Sequence, residues 1–214
     1  MFDLDGVLVR SDRLHFLAWK KLSDSQGWAF DESLNERLRG VPRMESLQII
    51  LGHNKIELCE NDAEKAAEEK NRIFRESIRT LSSKDLIPGA LKLLRGVRAL
   101  GAKTAVCSSS RNAPEVVETL SLGTLLDAVV SANDVRKAKP DPEIFIAGAL
   151  RLGVRPDLCV VVEDAQSGID AALAAGMRCV SFGPEGAIKG ATLNCDSLLG
   201  LSPELLLAPD AATR

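Results

Sequence analysis

Four acidic residues stand in two close pairs, a pattern that can hold a divalent cation. Asp3 and Asp5 are separated by one residue near the start of the chain. Glu163 and Asp164 directly follow the apolar run 159–162. Crowded carboxylates repel one another unless a cation lies among them. Because Mg²⁺ is a hard ion that prefers carboxylate and phosphate oxygens, the two pairs predict a Mg²⁺ site.

Hydroxyl and cationic residues at two other places are suited to an anion. Ser108 opens the run Ser-Ser-Ser-Arg-Asn at 108–112, which follows an apolar run and precedes a predicted helix. Hydroxyls, backbone N–H groups and a helix N-terminus together can bind a phosphate. Lys139 precedes Pro140, which biases its backbone to an extended conformation just before another helix. We expect its ammonium to project toward the same anion.

Acids with Mg²⁺ on one side and hydroxyls with a lysine on the other predict phosphoryl transfer. One aspartate would attack phosphorus to give an aspartyl-phosphate, and the other would carry the proton of the hydroxyl that enters or leaves. Each part alone has an ordinary explanation, as a turn, a helix cap or a solvated lysine. The combination of all four parts, each at the end of a strand, favours the catalytic interpretation.

The elements that must position these residues are predicted from about residue 88 onward. Four apolar, β-branched runs alternate there with helical stretches, at 104–107, 128–130, 159–162 and 179–182. Alternating strands and helices predict an α/β fold with a doubly wound parallel sheet, a Rossmann-like core. Ligands of such sheets bind beyond the carboxyl ends of the strands, where the residues above are found.

Residues 1–10 predict a short strand that ends in a turn, and the following stretch to about residue 81 has a helical pattern throughout. The predicted domains are an α/β core of 1–10 and 88–214 and an inserted helical cap of 11–87. Only Met1 and Phe2 precede Asp3, whereas strands average about 5–6 residues. We therefore expect the sequence to begin late and to lack part of its first strand. The tail beyond residue 186 carries no clear prediction.

Composition excludes several classes of partner. The 214 residues include 27 basic and 30 acidic ones, a net charge of −3 that disfavours nucleic-acid or membrane binding by charge. The five cysteines are odd in number and show no C-x-x-C spacing, which favours reduced thiols and a cytoplasmic location. From the acidic start we expect no signal peptide, and no apolar run reaches the roughly 18 residues of a membrane span. Nothing demands more than a monomer.

The predicted cap also contains polar residues that suit a substrate. His15 and Trp19 are four residues apart and share a helical face, although a tryptophan is more often part of a core. Lys70 falls on the apolar stripe of a predicted helix at 62–81, so its charge should face a cleft or a partner. Arg43, in a loop, could bind a second phosphate bidentately or be a solvated cation.

The chain resembles the haloacid dehalogenase superfamily in four motifs. These are Phe-Asp-Leu-Asp-Gly-Val at 2–7, Ser108, Lys-Pro at 139–140 and Glu-Asp at 163–164. The resemblance implies that Asp3 is the nucleophile and Asp5 the general acid/base. It also implies that Ser108 and Lys139 hold the transferring phosphoryl group. The implied ligands of Mg²⁺ are Asp3, the backbone carbonyl of Asp5, Glu163 and Asp164.

Five segments resemble the β-phosphoglucomutase subfamily: 15–20, 39–48, 70–71, 108–112 and 138–145. The resemblance implies conversion of β-D-glucose 1-phosphate to glucose 6-phosphate through β-D-glucose 1,6-bisphosphate, an activating intermediate. It also implies that His15 couples cap closure to the position of Asp5. The distal phosphate would be bound by Arg43, Ser110, Arg111 and Asn112. The remaining implied substrate-binding residues are Ser11, Trp19, Gly40, Val41 and Lys70. Arg39 and Arg111 stand where well-known members carry lysine, and Ser11 where they carry threonine.

Other functions remain open from the sequence. A phosphatase of a small sugar or polyol phosphate would use the same acids and lysine, but it needs only one anion site. Phosphoacceptor signalling domains combine similar residues, yet they need no inserted cap. A catalytically inactive binding protein is disfavoured because every motif residue is present.

Overall fold

The computed structural model describes residues 1–38, 40–183 and 188–208. The described residues form two compact units, Met1–Arg10 with Ser82–Arg214 and, separately, Ser11–Leu81. We call the first the core unit and the second the cap unit. Arg39, singled out in the sequence, lies outside the described residues, as do 184–187 and the last six positions.

The cap unit is helical, as its sequence pattern predicts. Its described helices are α1 (Asp12–Gln26), α2 (Glu32–Glu36), α3 (Arg43–Asn54) and α4 (Glu60–Ile78). Helix α4 buries one stripe, at Ala63, Ala67, Lys70, Ile73, Phe74 and Ile78. That stripe follows the helical period, and α1 and α3 pack against α4. The helix begins two residues earlier than the predicted 62 and ends three residues before 81.

The core unit is built around parallel strands. They are β1 (Ala105–Cys107), β2 (Ala128–Val130), β3 (Val160–Glu163), β4 (Arg178–Phe182) and β5 (Leu193–Cys195). Strand β1 pairs with β2, β3 with β4, and β4 with β5, all in parallel. The predicted α/β fold with a parallel sheet is confirmed. Strand β5 was not predicted, because it contains only three residues without a buried apolar run.

The first residues of the chain join the two groups of strands. Phe2 forms parallel bridges with Val106 of β1 and Val162 of β3. Its N–H donates to the carbonyl of Ala105 at 2.8 Å, and the N–H of Asp3 donates to that of Val162 at 2.9 Å. The strand predicted in residues 1–10 is wrong in detail, since the structure shows only isolated bridges there. Two residues before the acidic turn are too few to form a ladder.

Among its described residues the core unit has five α-helices, three of which lie between consecutive strands. They are α5 (Ala90–Ala99), α6 (Ala113–Thr119), α7 (Glu143–Leu152), α8 (Gln166–Ala174) and α9 (Pro203–Leu207). Helix α7 begins at Glu143, whose N–H donates to the Asp141 carboxylate at 3.0 Å. Apolar side chains of α7 and α8, among them Phe145 and Ile169, are buried with those of β1, β3 and β4.

The chain returns to the core earlier than the boundary predicted at residue 88. Val9 and Leu86 form an antiparallel bridge. The N–H of Arg10 donates to the carbonyl of Asp85 at 2.8 Å, and that of Ile87 to the carbonyl of Leu8 at 2.9 Å. These bonds place residues 82–87 with the core unit. Across the described ranges, no helix is long and apolar enough to cross a membrane.

A glycine just before α5 gives a test of this packing. Gly89 has φ +94°, and a Cβ there would lie 2.7 Å from the backbone of Leu198 and Leu199. Gly101, in the same unit, has φ +81° with nothing within 4 Å of its Cβ position. We expect Gly101→Ala to lower the unfolding free energy by about 1–2 kcal/mol through backbone strain alone. Gly89→Ala should cost at least about 3 kcal/mol, because backbone must also move. Urea unfolding measures both, and equal losses would contradict the packing.

Candidate active site

The carboxyl ends of the central strands bring the predicted catalytic residues to one edge of the sheet. Asp3 follows the Phe2 bridge, Ser108 follows β1, and Glu163 ends β3. Since Phe2 lies in parallel between β1 and β3, these three side chains start from neighbouring positions. The N–H of Ser108 is fixed by the carbonyl of Val130 at 3.0 Å. Strand pairing therefore builds the edge on which the polar residues stand.

Lys139 is the centre of this group. Its ammonium donates to Asp3 Oδ1 at 2.6 Å, to Glu163 Oε1 at 2.5 Å and to the carbonyl oxygen of Cys107 at 3.1 Å. The nitrogen also lies 5.0 Å from the centre of the Phe145 ring. Only 4% of the Lys139 side chain is exposed. A buried ammonium with two carboxylates and one carbonyl is fully satisfied as a three-fold donor.

Glu163 is held from its other side by the backbone. Its Oε2 accepts from the N–H of Asp164 at 2.9 Å and from that of Ala165 at 3.1 Å. The carboxylate also lies directly against Gly168 of α8, where a Cβ would come within 1.9 Å of Oε1. Glu163 is thus fixed by a salt bridge, by two amides and by helix packing, and its two oxygens already accept hydrogen bonds.

Electrostatics in this centre follow from burial and crowding. Burial raises the pKa of Asp3 well above its usual range. The charge of Lys139 opposes that rise in pKa, while Glu163, Asp164 and Asp5 add to it. For Lys139, burial lowers the pKa, but the charges of Asp3 and Glu163 outweigh burial, so its pKa is raised. Lys139 is therefore charged at neutral pH, and it is the group that favours an ionised Asp3.

The turn after Asp5 brings further oxygen atoms to the same place. The N–H of Gly6 donates to the carbonyl of Val9 at 2.9 Å, and Gly6 has φ +84°. The carboxylate of Asp164 lies where a Cβ on Gly6 would be, so it would have to move if residue 6 carried a side chain. The hydroxyl of Ser108 lies 3.4 Å from Asp5 Oδ2, a long hydrogen bond.

The donor atoms suit a hard cation, but the described residues do not present a finished metal cage. No group of three or more His, Cys, Asp or Glu side chains is arranged as a metal site in the described ranges. The carboxylates of Asp3, Asp5 and Asp164 bring oxygens of the kind that Mg²⁺ prefers. Glu163 is instead the acceptor for Lys139. A ligand role for Glu163 stays a prediction.

The serine-rich loop differs from its predicted arrangement. The N–H of Ser110 donates to Ser108 Oγ at 3.0 Å, and the N–H of Asn112 donates to Ser110 Oγ at 3.2 Å. Serine hydroxyls commonly bond the N–H two residues further on, which competes with binding an external anion. Asn133 Nδ2 also donates to the carbonyl of Arg111 at 2.9 Å. The loop is therefore held by its own serines and by one neighbouring amide.

Predicted substrate-binding residues of the cap unit form a second cluster around Lys70. The ammonium lies 2.9 Å from His15 Nδ1, and 5.1 and 4.7 Å from the ring centres of Trp19 and Phe74. His15 stacks on Phe74 with ring centres 4.0 Å apart. Because an ammonium can only donate, Nδ1 is the acceptor and the imidazole is neutral. Only 4% of Lys70 is exposed, and of the two predicted surroundings, a cleft or a partner, the described contacts show a partner in His15.

Burial lowers the pKa of His15 well below its usual range, and the charge of Lys70 lowers that pKa further. Trp19 is buried, in agreement with a core role. Ser11 precedes α1 and is buried as well. The cluster is thus a polar pair enclosed by aromatic rings.

Arg43 starts helix α3, one residue after Pro42. Its Nη2 lies 3.0 Å from Oε1 of Glu68 on α4. In the loop before it, Gly40 has φ +69°, and the N–H of Val41 donates to the carbonyl of Leu38 at 3.1 Å. The predicted anion-binding arginine therefore has a carboxylate partner.

The structure brings together Asp3, Asp5, Ser108, Lys139, Glu163 and Asp164 in the core unit. Ser11, His15, Trp19, Gly40, Val41, Arg43 and Lys70 belong to the cap unit. Sequence reasoning missed Phe145, Phe74, Asn133 and Glu68. Of these four, only Phe74 had a local signal, because its ring stands four residues after Lys70.

Comparisons with known proteins agree on one family. A family model described as haloacid dehalogenase-like hydrolase matches residues 1–176. The chain is 39% identical over 208 residues to a β-phosphoglucomutase of Bacillus subtilis strain 168, covering 96% of this chain and 92% of that protein. It is 36% identical over 181 residues to a phosphorylated carbohydrates phosphatase of Thermotoga maritima, covering 83% and 81%. A crystal structure of β-phosphoglucomutase from Clostridium difficile matches with TM-score 0.88 at 38% identity, covering 94% and 91%.

Removal of the central ammonium should be costly. We expect Lys139→Met to lower the unfolding free energy by about 3–5 kcal/mol near neutral pH, because two buried carboxylates lose their shared cation. Burial raises the pKa of Asp3, so the loss should shrink as the pH falls and that carboxyl takes up a proton. Urea unfolding in a chelator, at neutral and mildly acidic pH, measures both effects.

A matched control for that variant is Lys137→Met. Lys137 lies 3.2 Å from Asp141, and its side chain is 72% exposed. The control should change the unfolding free energy by less than about 1 kcal/mol. A Lys139→Met protein as stable as the control would refute the central role of the buried cation.

His15 should stay neutral across the physiological pH range. The chain has two histidines, so His53→Gln leaves His15 as the one imidazole seen by NMR. We expect the pKa of His15 to lie well below the usual histidine value. Lys70→Met should raise that pKa, yet leave it low, because burial is the larger cause. An ordinary titration of His15 in the otherwise native chain would argue against the buried pair.

Proposed function

The chain belongs to the haloacid dehalogenase-like hydrolase family, and from this premise we propose that it is a β-phosphoglucomutase. It would interconvert β-D-glucose 1-phosphate and D-glucose 6-phosphate. The observation that carries the proposal is similarity to β-phosphoglucomutases over almost the whole chain, in sequence and in structure. The chain is in any case an enzyme of a family whose relatives transfer or hydrolyse phosphoryl groups of sugars.

In the proposed reaction, Asp3 carries the phosphoryl group. The 6-hydroxyl of β-glucose 1-phosphate attacks phosphorus of the aspartyl-phosphate, Asp5 takes the hydroxyl proton, and the acyl phosphate bond breaks. The products are β-glucose 1,6-bisphosphate and free Asp3. After the bisphosphate has turned over, Asp3 attacks the phosphorus at C1. Asp5 returns the proton to the leaving sugar oxygen, which yields glucose 6-phosphate and phosphorylated Asp3.

Lys139 supports both half-reactions. Its ammonium, 2.6 Å from Asp3 Oδ1, favours the ionised carboxylate that a nucleophile requires. It also supplies positive charge where negative charge grows on the phosphoryl oxygens. Ser108 would donate its hydroxyl to the same oxygens. Glu163 holds Lys139 in place through the second contact of the buried salt bridge.

We propose Mg²⁺ as the metal of this centre. Asp3, Asp164 and the backbone carbonyl of Asp5 would hold it, with Glu163 joining only by exchanging its contact with Lys139. When bound, Mg²⁺ neutralises phosphate charge and orients the transferring group. The crowded carboxylates that raise the pKa of Asp3 are the feature that supports a cation here.

A mutase requires a second anion site for the phosphate at the far end of the sugar. We propose Arg43, Ser110, Arg111 and Asn112 for this site. Ser11, His15, Trp19, Gly40, Val41 and Lys70 would contribute to sugar binding and to cap position. Exclusion of water by the cap would protect the aspartyl-phosphate while the bisphosphate turns.

A phosphatase is the second candidate. The relative of Thermotoga maritima, 36% identical, is a phosphatase of phosphorylated carbohydrates. The same acids and lysine would serve if water took the phosphoryl group from Asp3. In either case the partner is a small sugar phosphate, and we propose that a cytoplasmic monomer acts on it.

The test is a side-by-side assay of two products. β-Glucose 1-phosphate is supplied with Mg²⁺ and catalytic β-glucose 1,6-bisphosphate, and glucose 6-phosphate and free phosphate are both measured. Fast isomerisation with little free phosphate supports the mutase. Free phosphate without glucose 6-phosphate would overturn it in favour of the phosphatase.

Arg43→Ala separates the two anion sites. We expect it to lower isomerisation at least about tenfold, because a charge-assisted contact to the distal phosphate is lost. Hydrolysis of a small phosphate ester without a second anion should be nearly unchanged. Arg72→Ala, which removes an exposed guanidinium paired with Glu69 and Glu76, is the matched control and should change neither rate. Equal loss of both activities in Arg43→Ala would contradict the second site.

A further inference from the structure

Glu68 is a carboxylate placed on the arginine that the proposed function assigns to an anion. We propose that Glu68 sets the affinity of Arg43 for the distal phosphate of the sugar bisphosphate, by competing with that phosphate for the guanidinium. The inference rests on the proposed function, in which Arg43 binds that group. It adds a residue that determines affinity without touching the reacting atoms.

The pair joins two helices rather than neighbours on one helix. Arg43 opens α3 and Glu68 lies on α4, 25 residues further along the chain. Their Nη2 and Oε1 atoms are 3.0 Å apart. Glu69, the next residue, instead pairs with Arg72 on its own helix at 2.7 Å, an ordinary i,i+3 contact. The Arg43 pair is therefore a product of how the cap unit packs.

Because Glu68 is exposed, it can compete with a phosphate for Arg43 without blocking the guanidinium permanently. The side chain of Glu68 is 67% exposed, while that of Arg43 is 21% exposed. The carboxylate can turn into solvent at little cost, because exposed ion pairs contribute weakly. While it is in place, however, it cancels part of the positive field that an approaching phosphate would meet. A phosphate dianion forms stronger charge-assisted bonds and can displace it.

A mutase requires a distal site that binds phosphate with only moderate affinity. The bisphosphate must leave the distal site, turn and bind again with its other phosphate there. An arginine without a competing carboxylate would hold either phosphate more tightly and slow that exchange. Glu68 thus lowers the affinity for the bisphosphate and speeds its release. Removal of Glu68 should therefore have opposite effects, with tighter binding and slower turnover.

The test compares Glu68→Gln with Glu69→Gln, two adjacent variants that remove the same charge. Dissociation constants are measured by calorimetry on the whole chain with Asp3→Asn, which prevents turnover. The probes are β-glucose 1,6-bisphosphate and p-nitrophenyl phosphate, which carries one phosphate only. We expect Glu68→Gln to bind the bisphosphate about two- to fivefold more tightly, with no change for the monoester. Glu69→Gln should leave both constants unchanged. With Asp3 restored, the turnover number of Glu68→Gln should fall, because the more tightly held bisphosphate exchanges its two ends more slowly.

Bisphosphate binding by Arg43→Ala distinguishes failure of the Glu68 inference from failure of the proposed function. In that background the effect of Glu68→Gln should vanish, and an effect that persists would show a long-range field and overturn the inference. Equal or weaker bisphosphate binding by Glu68→Gln, with Arg43→Ala still strongly impaired, would overturn the inference and leave the second anion site standing. Unchanged bisphosphate binding by Arg43→Ala would overturn both.

Discussion

The buried ammonium of Lys139 is the interaction on which the catalytic edge of this protein depends. Carboxylates of Asp3 and Glu163 could not remain charged together in a dry site without a cation between them. Lys139 supplies that cation at hydrogen-bond distance from both. The Phe2 bridge lies between β1 and β3, so Asp3, the Cys107 carbonyl at the end of β1 and Glu163 at the end of β3 all reach one nitrogen. The side chains of Asp3, Glu163 and Lys139 stabilise the core unit, and they are also the ones that the proposed reaction uses.

The cap unit contains a second buried lysine that is satisfied in a different way. Lys70 donates to the neutral imidazole of His15 and lies over the rings of Trp19 and Phe74. Aromatic faces and a neutral acceptor compensate a charge less completely than carboxylates do. Both lysines are buried, but the contacts with His15, Trp19 and Phe74 differ in kind from the carboxylate contacts of Lys139.

Groups outside the centre of Asp3, Glu163 and Lys139 must decide between mutase and phosphatase activity, since both reactions would use that centre unchanged. The difference lies in whether a second phosphate is held while water is kept away. We propose Arg43 for this role, with its affinity for phosphate set by its contact with Glu68. In the proposed function, the sheet edge would supply the reaction and the cap would supply the choice of acceptor.

The sequence by itself determined the fold class and the order of the catalytic motifs, because apolar runs and turns are local patterns. It placed Asp3, Ser108 and Glu163 at strand ends, but it misjudged the first ten residues, where two positions are too few for a ladder. Only the tertiary structure decided which side chains meet. Lys139 contacts Glu163 from 24 residues away, and Arg43 contacts Glu68 from 25. Spacing fixes neighbours within one helix or strand, whereas contacts between elements depend on how their buried faces pack.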